Sequence, residues 1–128
     1  MGLKYQDLTE SIIKTFYDVY NELGYGFHEK VCQNSLYIEL KSRGFDVEAQ
    51  KKIKVSHKGN YVGEYYADLV VDDFVILELK ATERISEKFE FQLINYLRTT
   101  DKEVGLLFNF GVKPEFKRKI FENSRKRN

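Results

Sequence analysis

The stretch YADLVVDDFVILELK, residues 66–80, decides the predicted fold. Two apolar runs flank the pair Asp72-Asp73, which is the pattern of two strands joined by a turn. The second run is interrupted by Glu78 and Lys80, which are two residues apart and therefore on the same side of any strand that contains them. A core strand with an acid and a base on one side needs a reason for both charges.

The register of this hairpin determines what the side chain of Asp68 faces. A simple two-residue turn would place Asp68 opposite Leu77, among aliphatic side chains. A loop with an odd number of residues, or a bulge, would instead pair Val71 with Val75 and place Asp68 across from Glu78, with Cβ atoms roughly 5 Å apart. Only the second register sets apolar residues against apolar neighbours, so we predict it.

Helical and strand periods along the chain predict the order ααβββαβα. Apolar residues at spacings of three and four mark the helices, and glycines at 24 and 44 end the first two. Helices are predicted over about residues 5–23, 28–43 and 86–100 and from Pro114 onward, and strands over about residues 45–58, 61–71, 74–81 and 104–110. The fold class is therefore α/β, with a mixed sheet flanked by helices.

The composition of the chain favours one compact domain over residues 1–128, because 42% of its 128 residues are hydrophobic. It contains no apolar run of about 18 residues, and its start lacks the charged-then-apolar pattern of a signal peptide. We therefore expect a soluble, cytoplasmic protein with no membrane partner. The single cysteine, Cys32, excludes an internal disulfide and a zinc site with two thiolates.

The net charge of +1 provides no overall basic field that would attract nucleic acid. Basic residues nevertheless cluster at 51–58 and toward the C-terminal end. The ordinary interpretation is an exposed strand face and a solvated helix end, and the alternative is a surface that contacts phosphates. The candidate nucleic-acid contacts are Lys51, Lys52, Lys117 and Arg118.

The carboxylates of Asp68 and Glu78 would repel each other at close range, and burying them without a partner is costly. Lys80 could supply the missing cation alone, as a structural salt bridge. Two carboxylates beside a lysine also match a magnesium site, in which the metal activates a nucleophilic water and stabilises the transition state of phosphoryl transfer. Spacing alone leaves both interpretations open.

Asp68, followed after nine residues by Glu78-Leu79-Lys80, resembles the core of the PD-(D/E)xK nuclease superfamily. A wider resemblance, to the small bacterial and archaeal family called GxxExxY proteins, covers about residues 5–121. It rests on GFHE at 26–29, YADLVVDD at 66–73, ELKA at 78–81, QLINYL at 92–97 and GLLFNFG at 105–111. It implies a restriction-endonuclease-like sandwich around a mixed sheet, and a nuclease dependent on Mg²⁺ or Mn²⁺ with DNA favoured over RNA as substrate.

The same resemblance implies a role for each acid and for the lysine. Asp68 and Glu78 would hold the metal, with Glu29 at the start of the second helix as a third acid, acting directly or through water. Lys80 would orient or activate the attacking water. The alternative for Glu29 is a favourable charge at a helix N-terminus, a frequent place for acids.

Gln92 and Tyr96, one helical turn apart, resemble the Q-x-x-x-Y element that some members of the superfamily place beside the active site. They would hold Lys80 or a substrate phosphate, and the alternative is that they line the wet edge of an amphipathic helix. Two positions depart from the pattern: Cys32 stands in place of the namesake tyrosine, and Ala67 in place of proline. The first departure changes the expected wall of the pocket and leaves the metal cluster intact.

A second function stays open: a non-catalytic nucleic-acid-binding or protein-interaction module on the nuclease-like fold. The weak basic face, Cys32 and the small size favour it, whereas the complete set of acids and lysine favours catalysis. A toxin or mobile-element nuclease that needs a partner is a third option. The sequence does not determine whether the protein pairs with itself as a homodimer.

Overall fold

The structure is a computed structural model and describes residues 5–126. The predicted domain span of 1–128 extends beyond it at residues 1–4 and 127–128, which lie outside the described residues. The helices are α1 (Gln6–Leu23), α2 (Glu29–Ser42) and α3 (Glu87–Thr99), and the strands are β1 (Val47–His57), β2 (Asn60–Val71), β3 (Val75–Lys80), β4 (Val104–Phe110) and β5 (Pro114–Ile120). A short 3₁₀ helix, Asn123–Arg125, follows β5.

The five strands form one mixed sheet in the order β1-β2-β3-β4-β5. Strands β3 and β4 run parallel, and the other neighbours are antiparallel. Helices α1 and α2 cover one face and α3 covers the other, which confirms the predicted α/β class. No helix within residues 5–126 is both long enough and apolar enough to cross a membrane.

The helices bury the faces that their apolar periods predict. Ile12 and Phe16 of α1 are fully buried, and the Phe16 ring stacks on Phe108 of β4 with centroids 4.3 Å apart. Leu93 and Leu97 of α3 pack on the opposite face. Because both faces of the sheet are covered, every residue of β4 is buried, as its apolar run predicts.

Helix α3 is the crossover that parallel pairing of β3 with β4 requires. It begins where predicted, at Ser86, whose Oγ accepts a hydrogen bond from the backbone N–H of Lys88 (3.1 Å). This crossover brings the side chains of α3 over the end of β3 that carries Glu78 and Lys80.

The loop between β2 and β3 has three residues, 72–74, so the predicted odd-numbered loop is confirmed. Val71 pairs with Val75, and two further pairs follow along the ladder. The first two loop residues have φ of 52° and 60°, in the left-handed region that aspartate tolerates better than most residues. Continuing the register brings Asp68 level with Glu78.

Strand β2 changes the face that its side chains bury at Asp68. Leu69 packs with the α1 and α2 side, whereas Ala67 and Tyr65 pack with the α3 side, although regular alternation would put all three on one face. At the corresponding point of β1, Gln50 has a positive φ of 50°. The outer half of the β1–β2 hairpin is thereby rotated over α3.

The predicted last helix is wrong, because Pro114–Ile120 is strand β5, antiparallel to β4. Phe116 and Ile120 are four residues apart, a spacing that suits one face of a helix and equally one face of a strand. The open edge of β4 decides the outcome, and proline is tolerated as the first residue of an edge strand. As neighbours on a strand, Lys117 and Arg118 point to opposite faces of the sheet.

Candidate active site

Two carboxylates meet where the β2–β3 ladder ends. Regular pairing stops at Leu69 and Leu77, and side chains then take over the hydrogen bonding. The backbone N–H of Leu79 donates to Asp68 Oδ2 (2.8 Å), and the backbone N–H of Asp68 donates to Glu78 Oε2 (3.3 Å). The structure thus brings together two of the three acids predicted to hold a metal.

Tyr65 is a site residue that the sequence analysis missed. Its hydroxyl donates to Glu78 Oε2, and its ring stacks on Tyr96 of α3 with centroids 3.7 Å apart and planes 12° apart. Burial and then the charge of Glu78 raise the pKa of the Tyr65 hydroxyl, so it stays a donor. No sequence signal reveals this contact, because alternation from Leu69 directs Tyr65 to the wrong face.

The carboxyl of Glu78 carries a strongly shifted pKa. Burial, and after it the charge of Asp68, raise the pKa of Glu78 to about 8, against smaller lowering effects of the Tyr65 hydroxyl, the Asp68 N–H and the charge of Lys80. Two like charges at one partly buried site cannot both be ionised cheaply. Metal-free Glu78 is therefore mostly protonated at neutral pH, and the site is short of positive charge.

Lys80 does not form the salt bridge considered from the sequence. Its Nζ lies 4.4 Å from the centroid of the Phe89 ring, and no carboxylate oxygen of residues 5–126 lies within 4 Å of it. The cation–π contact holds the ammonium group without neutralising it. Lys80 is therefore available to another partner.

A cavity of about 180 Å³ collects the remaining predicted residues. Gln92 and Tyr96 line it from α3, opposite Glu78 and Lys80 on β3. The other lining residues are Tyr65, Phe89, Leu93 and Leu107. Five of the six predicted catalytic residues are thus found at this cavity or, for Asp68, hydrogen-bonded to its wall.

Glu29 lies elsewhere. It is exposed at the first position of α2 and lines a neighbouring cavity of about 480 Å³, whose wall includes Ala81, the residue after Lys80. Among the residues that the structure describes, no three His, Cys, Asp or Glu side chains are close enough together to hold one metal ion. The three acids therefore do not form a shared ligand set in this conformation.

Cys32, which was expected to change the wall of the pocket, lines neither cavity. It is fully buried in the core beneath α1 and α2, where burial raises the pKa of its thiol. The next residue of α2, Gln33, accepts a hydrogen bond through Oε1 from Gln50 Nε2 (3.0 Å). Helix α2 is thus tied to β1 at the point where the hairpin rotates.

The donor set at the end of the β2–β3 ladder fits a divalent cation. Within the described chain, no hydrogen bond uses Asp68 Oδ1 or Glu78 Oε1, so one oxygen of each carboxyl is available. Carboxylate oxygens are hard ligands of the kind that Mg²⁺ and Mn²⁺ prefer. After burial, the charge of Asp68 is the second cause that raises the pKa of Glu78, and such an ion would offset that charge.

The four candidate nucleic-acid contacts do not form one surface. Lys51 and Lys52 line a groove of about 520 Å³ along β1, where each also lies near a glutamate, Glu48 or Glu64. Lys117 and Arg118 lie on β5, at the other edge of the sheet and on its two faces. Only the β1 pair stands next to the strand that carries Tyr65.

Comparison with known proteins yields one match. A family model described as the PD-(D/E)XK nuclease superfamily matches residues 6–119 of this chain. Neither the curated proteins nor the solved structures include a match. The matched range contains both carboxylates, the lysine and the cavity-lining residues of α3.

Proposed function

The chain belongs to the PD-(D/E)XK nuclease superfamily, and from this premise we propose that it is a nuclease that hydrolyses phosphodiester bonds of DNA with Mg²⁺ or Mn²⁺. Within the superfamily we assign it to the GxxExxY proteins, on the motifs quoted above. DNA is chosen over RNA by analogy with the superfamily alone. A cytoplasmic location stays a prediction, and pairing of two copies stays undetermined.

The observation that carries the proposal is the pair of adjacent carboxyls, with which no lysine or arginine of residues 5–126 forms an ion pair. Asp68 Oδ1 and Glu78 Oε1 would hold the ion, while Glu78 Oε2 stays fixed by the Tyr65 hydroxyl and the Asp68 N–H. Such outer hydrogen bonds orient a ligand and tune its basicity. Because Glu78 must lose its proton to bind an ion, metal binding would release a proton at neutral pH.

A bound Mg²⁺ or Mn²⁺ supplies Lewis acidity at the scissile phosphate and lowers the pKa of a coordinated water. The chain's own part is to position the reacting groups. Lys80, held over Phe89 and not ion-paired, would donate to the attacking water or to a phosphate oxygen. Gln92 would bind a phosphate oxygen across the cavity, and Tyr96 would keep Tyr65 in place by stacking.

Glu29 and the β1 lysines act at a greater distance in this proposal. Glu29 would reach the ion through a water molecule, which accords with its place in the neighbouring cavity. Lys51 and Lys52 would hold the nucleic-acid backbone along the groove by salt-sensitive contacts. Lys117 and Arg118, which share no face, would contribute at most one such contact on each side of the sheet.

Isothermal titration of the full chain with Mn²⁺ and with Mg²⁺ tests the proposal. We expect one saturable site in the wild type, no binding in Glu78→Ala, and about tenfold weaker binding in Tyr65→Phe, which loses an outer hydrogen bond. Glu22→Gln, an exposed acid of α1, is the matched control and should bind as the wild type does. Metal binding that survives Glu78→Ala would refute the assignment of the site.

Cleavage assays on single-stranded, duplex and branched DNA and on RNA then separate the two functions. Hydrolysis of any of these by the wild type, lost in Glu78→Ala, supports the nuclease. The separation of Glu29 from the two other acids favours the alternative of a non-catalytic binding module, because no three His, Cys, Asp or Glu side chains of the described residues form a shared ligand set. Saturable metal binding without cleavage of any substrate would decide for that module.

A further inference from the structure

The loop between α1 and α2 presents two aromatic rings to solvent. Tyr25 is 63% exposed and Phe27 is 44% exposed, so both rings present apolar surface to solvent. Gly24 and Gly26 alternate with them at φ of 78° and 109°, a conformation that only glycine adopts without strain. The backbone is thus built to turn both rings outward.

The two rings line one cavity with the polar side chains of His28 and Glu29. Its other wall is made by Ala81 and Phe110, at the ends of β3 and β4. Its volume is about 480 Å³, larger than that of the cavity beneath Lys80. An aromatic surface therefore stands directly beyond the strand that carries Glu78 and Lys80.

The loop is anchored from both sides. The Tyr20 hydroxyl, at the end of α1, lies within hydrogen-bond distance of the carbonyl oxygens of Gly111 (2.6 Å) and Val112 (2.8 Å). On the other side, α2 begins at Glu29 and Cys32 in its first turn is fully buried in the core. The position of the rings relative to β3 is therefore determined by packed elements.

We propose that Tyr25 and Phe27 form a stacking platform for an unpaired nucleobase, so that the substrate of this nuclease is single-stranded or carries an unpaired nucleotide at the cleavage site. This proposal rests on the proposed function, because Ala81 in the wall of this cavity directly follows Lys80, and a base would reach the cavity only from a strand held at Asp68 and Glu78. Aromatic side chains stack on any base face, whereas the bases of an intact duplex are already stacked on each other.

The lining of the cavity favours a base over a second copy of the chain. Protein interfaces of useful strength have an apolar core poor in charge and need a broad complementary patch. Here two rings enclose a concavity that also holds an imidazole and a carboxylate, a combination that suits a planar ring with polar edges.

Fluorescence anisotropy of the full chain tests the platform, with Ca²⁺ in place of Mg²⁺ to prevent turnover. The probes are a short labelled single-stranded oligodeoxynucleotide and its blunt duplex. We expect Tyr25→Leu and Phe27→Leu each to weaken single-strand binding by about 5- to 50-fold, as loss of one stacked base implies, and to change duplex binding by less than about twofold. Leucine retains apolar bulk at these exposed positions, which protects the fold.

Phe91→Leu is the matched control, because Phe91 is 62% exposed on α3 and lines neither cavity. An abasic scan of the oligonucleotide sharpens the test. Removing the base at one position of the oligonucleotide should weaken its binding to the wild type by the same factor as Phe27→Leu does. Removing that base should not weaken binding to Phe27→Leu any further. Equal losses on single strand and duplex, equal losses in Phe91→Leu, or unchanged binding in both loop variants would overturn the proposal.

Two further measurements separate this inference from others. Cleavage by the wild type with Mg²⁺, together with unchanged binding in the loop variants, would refute the platform and leave the nuclease standing. If removal of one base weakens binding to the wild type but not to Phe27→Leu, and no substrate is cleaved, the platform would be supported and the nuclease refuted. A change of sedimentation coefficient in Phe27→Leu, with single-strand binding unaltered, would assign the rings to an interface between copies and overturn the proposal.

Discussion

The two ends of β3 differ in whether the charged side chains beside them are paired with an opposite charge. Beside its start, the Lys102 side chain, only 9% exposed, donates to Asp73 Oδ1 (2.9 Å) and to the Asp73 carbonyl oxygen (2.8 Å). At its other end, Asp68 and Glu78 meet, and no lysine or arginine within the described part of the chain, Lys80 included, is ion-paired with either. One strand thus connects a compensated pair to an uncompensated one.

The pKa values of the two sites move in opposite directions for this reason. The hydrogen bond and charge of Lys102 lower the pKa of Asp73, whereas burial and the charge of Asp68 raise the pKa of Glu78 to about 8. A compensated pair adds to stability, while two like charges kept together reduce it. The end of β3 that costs stability is the end that carries the proposed metal site.

The largest expected effect comes from replacing Asp68, whose carboxylate repels that of Glu78, by asparagine. In Asp68→Asn the cleavage rate should fall at least about 10³-fold, equivalent to about 4 kcal/mol of activation free energy, because one charged ligand is lost. The free energy of unfolding without metal should rise at about pH 9, since Glu78 no longer faces a second charge. The asparagine Oδ1 can still accept the Leu79 N–H, so the fold should persist.

Kinetic assays with saturating Mn²⁺ and urea unfolding without metal measure the two effects. Glu22→Gln should change neither. Retained cleavage would show that the site lies elsewhere, and a lower free energy of unfolding in Asp68→Asn would show that the two carboxyls do not repel each other.

A smaller effect of opposite sign is expected at the compensated end. Lys102→Met should lower the free energy of unfolding by about 1–2 kcal/mol, since two hydrogen bonds of a charged donor are lost while the exposed Asp73 carboxylate is rehydrated. Urea unfolding at neutral pH measures it, with Lys113→Met, an exposed lysine, as control. No difference between the two variants would mean that Lys102 contributes only its aliphatic stem.

The raised pKa of Glu78 also predicts a pH dependence of stability. Between pH 4.5 and about 8, folded Glu78 keeps a proton that the unfolded chain has released, so the free energy of unfolding should decrease as the pH rises through this window. The decrease should vanish in Glu78→Gln, and Mg²⁺ should offset it by binding the folded chain. Equal pH slopes in wild type and Glu78→Gln, measured by urea unfolding without metal, would contradict the assignment.

The hairpin shows how far the sequence could be interpreted. Apolar matching predicted the odd loop and the meeting of Asp68 with Glu78, because a one-residue slip would have buried the wrong face. The family resemblance implied that Gln92 and Tyr96 lie beside the acids, and both line the cavity that Glu78 and Lys80 line. The register prediction depended on a local period, which tertiary packing did not alter.

Other features could not be predicted because competing structures satisfy the same local pattern. The four-residue spacing of Phe116 and Ile120 suits helix and strand alike, and the open edge of β4 selected the strand. The contact of Tyr65 with Glu78 depends on the rotation of the hairpin at Gln50, where a non-glycine residue takes a positive φ. Glu29 was expected near the two acids, and the structure places it in the neighbouring cavity.

The sequence by itself determined the register of β2 against β3 and the position of Asp68, Glu78 and Lys80 where that ladder ends, since each follows from which side chains avoid water. Only the tertiary structure decided what surrounds them: the tyrosine that holds Glu78, the ring that holds Lys80, and the aromatic cavity beyond β3. Those partners come from segments far apart in the chain. Their meeting depends on backbone rotation and edge pairing, which no local period encodes.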